Sequence, residues 1–150
     1  MEIERKFLIK ELPIINDYKQ KKIIQGYISI DPVIRIRQIA ANYFLTVKSH
    51  GHMIREEFEL SLSESQFFSL WSKLECPPIE KTRYFIPLTD HLIAELDIYD
   101  GHLEGLTTVE VEFSSEEEAL SFTPPSWFGK DVTHDSRYKN NHLSLHGLPS

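Results

Sequence analysis

The feature that most constrains this chain is a charge pattern with a period of two. In the opening MEIERKFLIK, Glu2, Glu4 and Lys6 fall at alternate positions, with Ile3, Phe7 and Ile9 between them and Arg5 as the exception. A β-strand turns successive side chains to opposite faces, so this segment read as a strand puts two carboxylates and an ammonium in one row. Carboxylates ~7 Å apart along a strand can hold a hard divalent cation, and the neighbouring lysine suits an anion bound to it. The period recurs along the chain. Residues 25–30 carry Gln25, Tyr27 and Ser29 on one face, and 33–39 carry Arg35 and Arg37. Residues 42–49 carry Thr46 and Lys48, and 53–61 carry Arg55, Glu57 and Glu59. Residues 79–86 carry Lys81 and Arg83, 92–99 carry Glu95 and Asp97, and 108–113 carry Glu110 and Glu112.

The opposite faces of these strands are largely apolar and need cover. Phe67, Leu70, Trp71 and Leu74 form a stripe at helical spacing over 63–75, where Ser63 and Gln66 have capping-box spacing and Pro77 and Pro78 mark the end. Ser115 and Glu118 repeat that spacing before a short helix at 116–121, and a last helix is expected over 135–144. Residues 12–24 read as a short helix or an irregular connection, 124–129 as a loop, and Asp100-Gly101 as a hairpin turn. The strand charges are sorted by sign, acidic at 2/4, 57/59, 95/97 and 110/112 and basic at 35/37 and 81/83. An antiparallel barrel turned inside out, with charges in the lumen and helices packed outside, satisfies both the sorting and the need for cover. The expected class is therefore α+β, as one domain over 1–150.

That lumen would hold eight acids (Glu2, Glu4, Glu57, Glu59, Glu95, Asp97, Glu110, Glu112) and seven bases (Lys6, Arg35, Arg37, Lys48, Arg55, Lys81, Arg83). Charges buried at such density must be paired or ligated. One or two divalent cations would turn the lumen positive and prepare it for a polyanion, and carboxylate-held Mg²⁺ beside several Lys and Arg is equipment for phosphates. The formal net charge of −7 argues against non-specific nucleic-acid binding by the outer surface. No apolar run is long enough to span a membrane, and no signal-peptide pattern opens the chain. Cys76 is alone, which suits a reducing cytoplasm. His50 and His52 read as exposed turn histidines, and Cys76 as structural.

Glu2-x-Glu4-x-Lys6 resembles the ExExK signature of the CYTH superfamily, the triphosphate tunnel metalloenzymes. The later series Arg35/Arg37, Lys48, Glu57/Glu59, Lys81/Arg83, Glu95/Asp97 and Glu110/Glu112 falls in that family's order. The likeness runs over about residues 1–142, including a C-terminal DVTHDSRYKNN similar to the family's, and an ExExK at the chain start followed by Phe7 is most similar to the bacterial inorganic triphosphatase branch. The resemblance implies an eight-stranded antiparallel tunnel and Mg²⁺- or Mn²⁺-dependent chemistry on a small-molecule triphosphate. It implies neither a nucleic-acid nor a membrane partner and leaves a homodimer open.

Pattern and resemblance together assign Glu2, Glu4, Glu110 and Glu112 to metal, with Glu59 and Asp97 next. Glu57 joins that set or, like Glu95, pairs with Arg or Lys. Lys6, Arg35, Arg37, Lys48, Lys81 and Arg83 form a phosphate clamp, with Arg55 as a further member. The resemblance gives Tyr27 and Lys81 a catalytic role: Tyr27 orients a water and Lys81, surrounded by cations, acts as base. Arg137 and Lys139 either cap a tunnel mouth or are solvated. The expected activity is metal-dependent hydrolysis of inorganic triphosphate. The alternatives are a class IV adenylate cyclase or a thiamine triphosphatase, and, of another class, a non-catalytic polyphosphate- or nucleotide-binding module.

Overall fold

The computed structural model describes residues 1–89 and 91–150. The chain folds into ten strands and three helices: β1 (Glu2–Ile9), β2 (Lys19–Ser29), β3 (Val33–Ile39), β4 (Asn42–Lys48), β5 (Ile54–Arg55), β6 (Glu57–Leu62), α1 (Glu64–Trp71), β7 (Ile79–Pro87), β8 (Ile93–Tyr99), β9 (Thr107–Glu112), α2 (Glu116–Ser121), β10 (Phe128–Asp131) and α3 (Asn140–His146). The strands form one sheet in the order β10-β1-β9-β8-β7-β2-β3-β4-β6, with β5 paired to β1. All of these pairings are antiparallel. The expected α+β barrel is present with ten strands rather than eight.

The expected strand at 53–61 is two strands, and the break between them nearly closes the barrel. β6 pairs with β4, placing Lys48 opposite Glu57, whereas β5 crosses to β1 and sets Arg55 opposite Glu2. Glu56 is the step between neighbours. Its N–H donates to Ser49 Oγ at 2.8 Å, and its carbonyl accepts from Ser49 N–H at 3.0 Å. Gly51, at φ +137°, makes the preceding turn, where a Cβ would lie 2.4 Å from the Ile54 carbonyl oxygen.

Charge hid a second piece of sheet. β2 starts at Lys19, so residues 19–24 are strand and not a helix or irregular connection. Lys19 pairs across to Phe85 and Lys21 to Arg83. The expected loop at 124–129 likewise runs into β10, which pairs with β1. The Asp100-Gly101 hairpin is wider than a two-residue turn, because a 3₁₀ turn at Gly101–Leu103 buries Leu103 completely.

The helices cover the outside as the apolar parity requires. Ser63 and Gln66 form a complete capping box at α1, which lays Phe67 against Tyr43 (4.9 Å between ring centroids) over β4 and β3. The helix stops at Trp71 rather than running to 75, and Leu74 then presses on β2 where residue 26 is glycine. A Cβ at Gly26 would lie 2.5 Å from Leu74 Cδ2. α2 spans 116–121 as expected and packs on β1. Phe7, Leu96, Val109, Val111, Ala119 and Phe128 make the buried cluster between sheet and cover. Arg5, the odd charge on this face, ties that cover down. Its Nη1 donates to the carbonyls of Ala119 (2.9 Å) and Phe122 (3.2 Å) at the end of α2, and Nη2 donates to Asp131 at 3.0 Å. The helix expected at 135–144 is a 3₁₀ turn (Ser136–Tyr138) followed by α3. Leu143 of α3 joins Tyr27, Ile79, Tyr99, Leu103 and Leu106 in a second apolar cluster.

Candidate active site

Register converts the alternating charges into a chamber. Glu4 pairs with Glu112 and Lys6 with Glu110 across β1/β9, and Glu110 pairs in turn with Glu95. On the other side Tyr27 pairs with Arg35 and Gln25 with Arg37. The enclosed cavity has a volume of about 270 Å³. Glu2, Glu4, Lys6, Tyr27, Arg35, Arg37, Lys48, Arg55, Glu57, Arg83, Glu95, Glu110 and Glu112 line it, and with Asp135 and Lys139 its charged lining is seven acids and seven bases.

Three assigned residues stand off this wall. Lys81 and Asp97 are completely buried and joined at 2.8 Å, so neither meets the cavity. Glu59 has a half-exposed side chain that approaches Arg37 at 3.9 Å and accepts from the Thr46 hydroxyl at 3.4 Å. Lys81, assigned to phosphate, and Asp97 and Glu59, assigned to metal, thus share the strand parity of the wall residues but sit at other depths along the barrel, off the chamber lining. Tyr27 does line the cavity. Gln25 Nε2 donates to its oxygen at 3.2 Å, and burial pushes its phenol up, so the hydroxyl keeps a proton to donate.

The acidic wall is short of positive charge. Burial and the facing Glu110 carboxylate push the Glu4 carboxyl well above its ordinary value. Glu110, although burial opposes it, is held well below its own by Lys6 and Arg83, and a hydrogen bond from Glu4 adds to this. Two facing carboxyls pushed apart in this way, one up and one down, crowd negative charge into a buried space that a divalent cation would suit. Glu112 is also raised, by burial and by Glu2. The donor set is all carboxylate oxygen, as a hard cation requires, and so the residues fit Mg²⁺ or Mn²⁺. Among the described residues no three such side chains are already drawn together for a metal. Glu2 instead meets Lys48 at 3.1 Å and Arg55 at 3.6 Å, and Glu4 meets Arg55 at 3.4 Å.

The basic wall is short of negative charge. Arg35 is buried and, among the described residues, forms no ion pair. Its one side-chain partner is Thr46 Oγ1 at 3.3 Å. The Nε groups of Arg35, Arg37 and Arg55 are buried and make no hydrogen bond. A buried guanidinium N–H left without an acceptor is costly, and three in one chamber mark the seat of an anion.

Residues not singled out as site residues also line the chamber: His52, Thr133, Asp135, Tyr138 and Asn140. His50 is exposed beside Asp31 as expected, but His52 is on the cavity wall with its ring 5.6 Å from that of His134. Lys139 Nζ donates to the Gly51 carbonyl and closes one end, whereas Arg137 turns outward to Asp135 at 2.7 Å. Tyr138 accepts at its carbonyl from Lys6 Nζ at 2.6 Å. For Thr133, Asp135, Tyr138 and Asn140 the only sequence signal was the DVTHDSRYKNN stretch, which carries no strand periodicity.

Comparison with known proteins agrees with this geometry. Residues 1–124 match the family described as CYTH domain. The chain is 45% identical over 147 residues to an inorganic triphosphatase of Nitrosomonas europaea, covering 96% of this chain and 97% of that one. It is 34% identical over 146 residues to an inorganic triphosphatase of Acetivibrio thermocellus, covering 95% and 92%. A solved structure of an inorganic triphosphatase superposes with a TM-score of 0.74 at 42% identity, over 99% of this chain and 97% of that one.

Proposed function

The chain belongs to the CYTH domain family, and from that premise we propose that it is a triphosphatase that hydrolyses inorganic triphosphate in its barrel lumen, with Mg²⁺ or Mn²⁺ as cofactor. The observation that carries the reading is the set of buried guanidinium Nε groups without acceptors at Arg35, Arg37 and Arg55, lining one small chamber with the carboxylates of Glu2, Glu4, Glu110 and Glu112. The names of the relatives support the substrate. The charged lining, with no paired aromatic rings that would stack a base, favours triphosphate over a nucleotide.

Arg35, Arg37, Lys48 and Arg55 bind the phosphate oxygens from one side, and Lys6 and Arg83 do so from the other. Glu2, Glu4, Glu110 and Glu112 would hold the divalent cation, which supplies charge neutralisation to the phosphate chain. The Tyr27 hydroxyl orients the attacking water. Attack of the water at a terminal phosphorus forms a new P–O bond and breaks the adjacent bridging one, releasing phosphate and diphosphate, and the water's proton passes to solvent. Lys81 stands behind the wall: burial pushes its amine down to about 7, but the amine is engaged with Asp97 and does not reach the chamber. A cytoplasmic location belongs to the same reading, because Cys76 is a free thiol.

The test is phosphate release from triphosphate, diphosphate, ATP and thiamine triphosphate, with Mg²⁺ and with EDTA. Triphosphate should be the best substrate by at least tenfold, and EDTA should abolish the signal. Preference for ATP, or no release from triphosphate, would refute the proposal.

A further inference from the structure

Asp97 carries a carboxylate at the parity of a metal ligand, yet it lies at a depth along the barrel where it does not line the chamber. It is completely buried between β7 and β8, where register sets it opposite Arg83. Its Oδ1 accepts from Arg83 Nε at 2.8 Å and its Oδ2 from Arg83 Nη2 at 2.9 Å, a two-point grip on the guanidinium plane. Oδ2 also accepts from Lys81 Nζ at 2.8 Å. The far edge of the same guanidinium donates from Nη1 to Glu95 at 3.1 Å, and Nη2 lies 3.6 Å from Glu110.

Arg83 differs here from the other lumen arginines. Arg35, Arg37 and Arg55 leave Nε unpartnered, whereas Arg83 has Nε and one Nη2 hydrogen taken by a carboxylate outside the chamber. Glu95 and Glu110 line the chamber beside a cation and an anion that would compete for them; Asp97 does not line it. The Asp97 contact is therefore the one hold on Arg83 that substrate and cation can leave in place. A fork fixed before binding loses less side-chain freedom when phosphate arrives.

We propose that Asp97 is a positioning residue. It fixes the Arg83 fork as the rigid part of the phosphate clamp and is not a ligand of the cation. The proposal rests on the triphosphate reading of the same chamber.

The test is steady-state kinetics on triphosphate across a Mg²⁺ titration for Asp97→Asn, Arg83→Lys, Arg83→Ala and the double variant Asp97→Asn/Arg83→Ala. Asp97→Asn should raise KM at least tenfold with kcat changed less than threefold, and the Mg²⁺ concentration for half-maximal rate should stay within twofold. Arg83→Lys keeps the charge and loses the fork, and it should show the same split. On the Arg83→Ala background, Asp97→Asn should add nothing to KM. A raised Mg²⁺ requirement at unchanged KM would make Asp97 a metal ligand and overturn the proposal. A wild-type KM in Arg83→Lys would overturn it as well, and that variant decides the matter where Asn at 97 prevents folding. Should the wild type release no phosphate from triphosphate, the hydrolase reading fails by itself. Calorimetric affinity for tripolyphosphate in the wild type and Arg83→Lys then tests the fork directly, with at least tenfold weaker binding expected in the variant and equal binding contradicting it.

Discussion

The two faces of the same strands make opposite kinds of interior. Outside the sheet, Phe7, Leu96, Val109, Val111 and Phe128 pack into a dry cluster under α2 and β10, and the one charge there, Arg5, has acceptors at every arm that reaches a neighbour. Inside, Glu4 lies three residues along β1 from Phe7 and Glu110 one residue along β9 from Val109 and Val111, with the Glu4 carboxyl pushed up and the Glu110 carboxyl held down, while Arg35, Arg37 and Arg55 keep buried N–H groups without acceptors. One face is complete as it stands. The other is complete only with ligands of both signs, and it is held open by the stability of the first. Substitutions on the two faces should therefore separate activity from stability.

The largest effect is expected at the acidic wall. Glu110→Gln keeps shape and removes one negative charge, so turnover should fall at least a hundredfold, about 2.7 kcal/mol in transition-state terms, with partial recovery at high Mg²⁺. A loss that Mg²⁺ does not touch would detach Glu110 from the cation. Arg35→Ala and Arg37→Ala should each lower turnover at least tenfold, about 1.4 kcal/mol. Turnover within twofold of wild type in a folded variant would break the assignment of that wall to phosphate. On the outer face, Phe67→Ala should cost about 3–5 kcal/mol of stability and leave turnover per folded molecule within twofold, as denaturant unfolding and a rate at matched folded fraction would show.

The parity of the strands was legible because charge and apolar side chains alternate without interruption in 33–39, 79–86 and 108–113. Depth was not. Asp97 and Glu95 have the same parity, yet Glu95 meets the chamber and Asp97 is buried beside Lys81. The barrel's stagger decides this, and it depends on pairings between distant strands. The split at Glu56 was hidden for a related reason, since β5 and β6 keep one periodicity while choosing different partners. Arg5 looked anomalous because its acceptors lie more than 110 residues away. Lys19 and Lys21 disguised the first half of β2, where both parities are polar. Tyr138 and Lys139 come from segments whose only regularity is a turn.

A smaller effect distinguishes the walls by pH. The Glu4 carboxyl is raised in the fold above its ordinary 4.5, so between that value and the raised one the folded chain holds the extra proton. Its contribution to stability is full below about 4.5 and is lost as pH rises through the raised value. Metal-free wild type should thus lose stability relative to Glu4→Gln as pH climbs through that window, and saturating Mg²⁺ should reverse the trend because cation and proton compete. Parallel stability curves for the two proteins would contradict a raised Glu4 carboxyl.

The most direct measurement is calorimetric binding of tripolyphosphate to the wild-type protein at equal ionic strength, with Mg²⁺ and with EDTA. A chamber whose acids and bases balance at seven each is a poor host for a polyanion until a cation tips it. Affinity should be at least tenfold tighter with Mg²⁺; equal affinity in the two conditions would contradict a lumen built to take a cation and a phosphate chain together.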